Sequence, residues 1–211
     1  MEPSRFAVFL AVVAALIAVP GPSVLFVVSR GVTLGRRAAV ATAAGNAGGV
    51  AVQAVAVAFG LGNVVARSQL AFSVLKFAGA LYLVWLGVQS WRQRGRLAAA
   101  EAQGQPVKSV RRILREGFVV GVSNPKGLLI FTAVLPQFVD PAAGHVPAQL
   151  LLLGAVCVTV ALVSDSAWGL LAGSARAWLA RSPRRLSALG GASGVVMVGL
   201  GVRLALTGDR R

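Results

Sequence analysis

Charge is scarce in this chain: only 13% of its 211 residues are Asp, Glu, Lys or Arg, and only six are acidic. A soluble domain usually carries about 25% charged residues, so this chain cannot clothe a water-facing surface. Cysteine and histidine are scarcer still, one of each, Cys157 and His145. A lone cysteine inside an apolar run excludes an internal disulfide and a CxxC redox pair. A lone histidine with no Cys partner excludes a structural zinc centre. No paired cysteines, catalytic His/Asp set or cofactor motif is present, so neither an enzyme nor a cofactor is expected. Apolar sequence is what remains: 56% of the chain is hydrophobic and the mean hydropathy is +0.76.

Those apolar residues fall in six blocks: Phe6 to Val28, Ala38 to Val65, Leu70 to Trp91, Gly117 to Val139, Gln149 to Leu171 and Leu186 to Leu206. A bilayer core takes roughly 20 apolar residues per helix, and every block is long enough. Backbone in lipid must satisfy its own hydrogen bonds, so each block reads as a helix. The expected fold is an all-α membrane protein of six transmembrane helices. A cleaved signal peptide would account for Phe6 to Val19, but not for the apolar run that resumes at Val24.

The net charge of +15 would suggest nucleic acid in a soluble protein. Here it lies in short runs between apolar blocks, as topogenic residues do. Fourteen basic residues fall in three alternate connections: Arg30, Arg36 and Arg37; then Arg92, Arg94, Arg96, Lys108, Arg111, Arg112 and Arg115; then Arg176, Arg181, Arg184 and Arg185. Five lie on the opposite side, namely Arg5, Arg67, Arg203, Arg210 and Arg211. The positive-inside rule places the three basic loops in the cytoplasm and both termini outside.

The chain reads as one transporter domain, 1–211, made of two similar halves, about 1–91 and 116–211, around a polar loop at about 92–115. Each half opens with a proline-interrupted helix, Pro20–Gly21–Pro22 in the first and Asn124–Pro125 in the second. Three helices per half invert the second half relative to the first. Broken helices at matching places in inverted repeats point to a transporter's binding site, although a proline can also merely kink a membrane helix. At each break proline removes a backbone donor, Gly21 permits close approach of a ligand, and Asn124 can cap the restarting helix.

Ionisable groups inside lipid cost about 2.5–3.5 kcal/mol each on insertion scales. Lys126 and Asp165 are the two deep ones. Lys126 can hold a substrate carboxylate, exchange a proton or fix helix packing. Asp165 can hold an ammonium or a proton, or pair with Lys126. We expect them to share one polar cavity, since each otherwise leaves a charge in lipid. Lys76, nearer a helix end, can snorkel. In the second block Thr42, Asn46, Gly49 and Gln53 recur at helical spacing on one face, with Asn46 and Gln53 as candidates for a polar path. Gly45 with Gly49, and Gly190 with Gly194, form GxxxG pairs suited to close helix packing.

Several segments together resemble the lysine-exporter (LysE/RhtB) family of amino-acid exporters. They are Pro20–Gly21–Pro22, the run Leu75 to Leu83 with Leu86–Gly87, Ser123–Asn124–Pro125–Lys126, Leu135 to Val139, and Asp165 in the fifth block. The resemblance implies a multi-pass protein of the bacterial inner membrane. It implies secondary active export of amino acids or related small metabolites, driven by the proton or membrane-potential gradient. On this resemblance the site residues are Pro20, Gly21, Pro22, Asn124, Pro125, Lys126 and Asp165. Trp168 stands where the family often has tyrosine, which leaves the substrate class open. The expected partners are the amino acid and the lipid bilayer, with a homo-oligomer left open and nucleic acid not expected. Two other functions remain: an exporter of a different small solute or a cation, and a membrane assembly protein without transport activity.

Overall fold

The computed structural model describes residues 3–18, 21–60, 69–92, 108–179 and 183–206. Every regular element among them is helical. The helices are α1 (Pro3–Ala18), α2 (Pro22–Leu34), α3 (Arg36–Ala58), α4 (Gln69–Arg92), α5 (Val110–Val122), α6 (Pro125–Leu129), α7 (Val146–Leu179) and α8 (Pro183–Leu206). After α6 the chain widens into a π-helical turn, Ile130–Val134, then tightens into 3₁₀ at Leu135–Phe138. Pro136 explains the change, because it has no N–H to continue an α-helical ladder.

By length and composition α3 and most of α7 can each cross a bilayer alone. Two further spans arise when bent pairs are joined: α1 with α2, and α5 with α6 and its extension. Both pairs bend by more than 40°, the second by 43°. α4 and α8 contribute shorter apolar stretches, Phe77–Gln89 and Gly194–Arg203. Among the described residues the helices thus run as a bent pair, α3 and α4, then a second bent pair, α7 and α8.

Glycine sets how closely these helices approach. α3 and α5 cross with backbone on backbone: a Cβ at Gly45 would meet the Leu114 carbonyl, and one at Gly49 the Phe118 carbonyl. From the other side, a Cβ at Gly117 would meet the Thr42 carbonyl and one at Gly121 the Asn46 carbonyl. The expected close packing of the Gly45–Gly49 pair is thus observed. α2 meets α7 through Gly31 and Gly169, and α4 meets α8 through Gly87 and Gly194. Small residues allow this because lipid tails give helices little hydrophobic reason to associate, and van der Waals contact must hold them together. What packs against Gly190, the other member of the second pair, lies outside what is described.

One apolar cluster fills the half of the bundle around α1, the 130–139 stretch and α7, with Phe9, Val13, Phe131, Leu135 and Cys157 buried in it. A second joins α2, α4, α5 and α8 through Phe26, Leu83, Leu86, Val120 and Met197.

Helix ends differ from those read in the sequence. α5 begins at Val110, capped by Ser109, whose side chain accepts from the Arg112 N–H. Arg111, Arg112 and Arg115 are therefore helical, not part of the polar loop. Arg30 is not in a connection either: it lies inside α2 and is 3% exposed. Arg176 lies in α7, and Arg184 and Arg185 in α8. The physical reason is that charged residues can continue an amphipathic helix beyond its apolar block, which hydropathy alone ends too early.

Candidate functional site

The two helix breaks meet. Gly21, extended at φ −112°, caps α2, with Pro22 in the first turn, where its missing N–H costs nothing. Asn124 caps α6: its Oδ1 accepts from the Lys126 N–H at 3.1 Å, and Pro125 occupies the first turn. The Asn124 side chain then reaches across, its Nδ2 donating to Ser23 Oγ at 2.8 Å. The Lys126 side chain lies against Gly21, where a Cβ would stand 3.4 Å from Lys126 Cδ and 3.9 Å from Nζ. Glycine is what lets the lysine pass so close to the backbone.

A break leaves carbonyls without helical donors; Gln53 supplies one to Val122 and adds a second to Asn124, whose carbonyl also accepts from the Leu128 N–H at 3.2 Å. The Gln53 Nε2 donates to the Val122 carbonyl at 2.8 Å and to the Asn124 carbonyl at 3.0 Å. Gln53, expected as a lining residue, is turned to this task and is not among the residues that line the cavity.

The cavity lies where the breaks cross. Gly21, Ser23, Asn46, Asn124, Lys126 and Asp165 form its polar part. Ile17, Val50, Ile130, Phe131, Cys157 and Ala161 belong to its apolar part. Asp165 is 3% exposed and accepts from Asn46 Nδ2 at 2.8 Å. That bond fixes the orientation of the Asn46 amide and leaves its buried Oδ1 as a further acceptor. Lys126 and Asp165 thus face one cavity, and their opposite charges attract across it. Pro22 and Pro125 shape the breaks without lining the cavity, and Pro20 lies outside the described residues. As water would occupy it, the cavity measures about 50 Å³. At roughly 10–15 Å³ per water on this measure, that is room for roughly three to five waters.

The model of the LysE type translocator family matches residues 14–208, nearly the whole chain. This chain belongs to the LysE type translocator family. The translocator is 35% identical over 191 residues to a homoserine/homoserine lactone efflux protein of Salmonella typhimurium, covering 88% of each chain. It is 34% identical to an uncharacterized membrane protein of Vibrio cholerae, covering 88% of this chain and 89% of the relative. It is 29% identical to a leucine efflux protein of Enterobacter sp. (strain 638), covering 90% of each chain. No solved structure matches it.

Sequence reasoning missed a second polar cluster in this translocator. Glu116 sits inside α5 and is 2% exposed. It accepts from Arg30 at 2.8 Å, from Lys108 at 2.8 Å and from Arg112 at 3.1 Å. Arg112 also donates to Gln89 of α4 at 3.1 Å. Arg30 lies over the Phe26 ring, 4.9 Å from its centre. Lys108 precedes α5, and its pKa is lowered to about 8, first by burial and then by the Arg30 charge, against the pull of Glu116. The available sequence signal was the spacing of Arg112 and Glu116, one helical turn apart. Ser23, Phe131 and Cys157 were also missed as site residues, because hydroxyl, ring and thiol inside apolar blocks carry no sequence mark of a cavity.

Proposed function

We propose that this translocator exports small neutral amino acids or close relatives of them. The observation that carries this reading is the cavity at the crossed helix breaks, with one cation and one anion in an otherwise uncharged lining of apolar, amide and hydroxyl groups. Lys126 takes the substrate carboxylate. Asp165 takes the α-ammonium, helped by the free Asn46 Oδ1. The N-terminal end of α2 adds its positive dipole end on the carboxylate side. With both charges committed to the zwitterion, nothing charged remains for the substrate's side chain, which meets Ile130, Phe131, Cys157 and Ala161. A cationic or anionic side chain would be buried there unpaired, at a cost of several kcal/mol. Efflux of homoserine and leucine by relatives fits a short or aliphatic neutral side chain.

Six spans in two inverted three-helix repeats, in the bacterial inner membrane with basic loops in the cytoplasm and termini outside, complete the proposal. The proton gradient drives export. Asp165 can hold a proton or face an ammonium, and a protonated carboxyl has no charge to offer the ammonium. Mutually exclusive occupancy of one carboxylate is a physical basis for exchange. A cation exporter is less well supported, since among the described residues no three His, Cys, Asp or Glu gather, and a bare cation needs several such ligands.

The test is uptake of labelled leucine and homoserine into inside-out membrane vesicles, with and without an imposed proton gradient. Wild-type protein should show gradient-dependent uptake that lysine and glutamate do not compete. Asp165→Asn should lose at least about 1.5 kcal/mol of charge-assisted binding, tenfold or more in apparent affinity. Full-rate transport by Asp165→Asn with unaltered pH dependence would remove the residue from the mechanism.

A further inference from the structure

The Glu116 cluster is not part of the cavity, and a purely structural ion pair would not need its composition. Three cations converge on one carboxylate, and three of the four residues are nearly inaccessible: Arg30 at 3%, Lys108 at 7% and Glu116 at 2%. The cluster therefore carries two excess positive charges, and Arg30 Nε has no acceptor. A lone carboxylate holding three cations is a connection with a single point of failure. Without it the cations repel one another in a medium that screens poorly.

Its position gives it leverage. Arg30 lies seven residues beyond Ser23 on α2, and Glu116 eight residues before Asn124 on α5, roughly 10–12 Å from the breaks. The cluster ties α2 to α5, α5 to α4 through Arg112 and Gln89, and all of these to the segment before α5 through Lys108. At the same end of the bundle, α2 meets α7 through Gly31 and Gly169, and α3 meets α5 where Gly45 lies on the Leu114 backbone. These backbone contacts pack this end of the bundle closely. An exporter must open that end to load and close it again before release.

We propose that the Glu116-centred ion cluster is the latch that holds this end of the transport path closed. Opening it separates α2 and α4 from α5 and admits substrate from the side bearing the basic connections, the cytoplasm under the orientation proposed above. The latch rests on the export reading for its purpose but not for its measurement. Cys157 lines the cavity, is 3% exposed, and is the only cysteine in the chain, so it reports access without any substrate.

The experiment measures labelling of Cys157 by a membrane-impermeant maleimide in inside-out and right-side-out vesicles carrying the full chain. Wild type should label slowly from the cytoplasmic face. Glu116→Gln, which keeps shape and removes charge, should label at least about tenfold faster from that face only, and Glu116→Asp should fall between. Should Glu116→Gln fail to insert, Arg112→Gln tests the same prediction at the half-exposed rim with a smaller gain. Unchanged labelling in an inserted variant, or equal gains from both faces, would overturn the latch. The two proposals separate cleanly. Faster one-sided labelling with no protection by leucine or homoserine keeps the latch and defeats the substrate assignment; protection by either amino acid with no effect of Glu116→Gln does the reverse.

Discussion

Replacing Gly49 by alanine, and separately its neighbour Gly48 by alanine, puts the same methyl group into opposite settings. At Gly48 the new Cβ would lie 3.6 Å from the Phe118 ring, an ordinary contact. At Gly49 it would strike the Phe118 carbonyl and the Val122 N–H, and stand 2.9 Å from the Gly121 carbonyl carbon. Restoring even 3.4 Å to that carbon requires α3 and α5 to part by at least about 0.5 Å, and neither backbone can yield alone. Overpacking of this kind costs about 1–3 kcal/mol. Gly48→Ala should be neutral or stabilising by at most about 1 kcal/mol, since alanine restricts the unfolded backbone. At roughly 2–4 °C per kcal/mol for a chain of this size, thermal unfolding in mild detergent should separate the two variants by several degrees. Gly49→Ala should also weaken transport, because Asn46 lies one turn away and orients Asp165. Equal shifts of the same sign would refute the claim that backbone contact at glycine sets the α3–α5 distance.

Two further outcomes follow from single groups. Gln53→Leu removes the donor shared by the Val122 and Asn124 carbonyls and should destabilise by about 1–3 kcal/mol, read as a lower melting temperature; an unchanged melting temperature would mean the break satisfies itself. Lys108 has a pKa near 8 in the folded chain against an ordinary 10.5, so between those values the unfolded chain binds more protons. Stability should then rise with pH across that window, the rise should vanish in Lys108→Met, and the reactivity of the Lys108 amine toward acylation should show a midpoint near pH 8.

Much of the site is legible in the amino-acid sequence. Pro22 and Pro125 each remove a donor from the helical ladder, which marked two places for a kink or a break, and Asn124 beside a proline is a natural cap. Lys126 and Asp165 were conspicuous because charge in an apolar block is costly wherever the chain places it. The Glu116 cluster was illegible for the converse reason. Arg30, Lys108, Arg112 and Glu116 stand at the edges of apolar blocks, where charge usually meets water and headgroups, and nothing local distinguishes a buried edge from an exposed one.

Amino-acid order alone determined the helical segments, the places where they could break, and the short list of charges that lipid would not tolerate unpaired, because these follow from backbone hydrogen bonding and hydropathy along a single strand of chain. Only the tertiary structure decided that Asn124 reaches Ser23, that Gln53 serves the broken helix instead of the cavity, and that one glutamate gathers three cations from separate segments. Those outcomes depend on which helix faces lie within hydrogen-bonding distance. That in turn is fixed by where glycine lets two backbones touch.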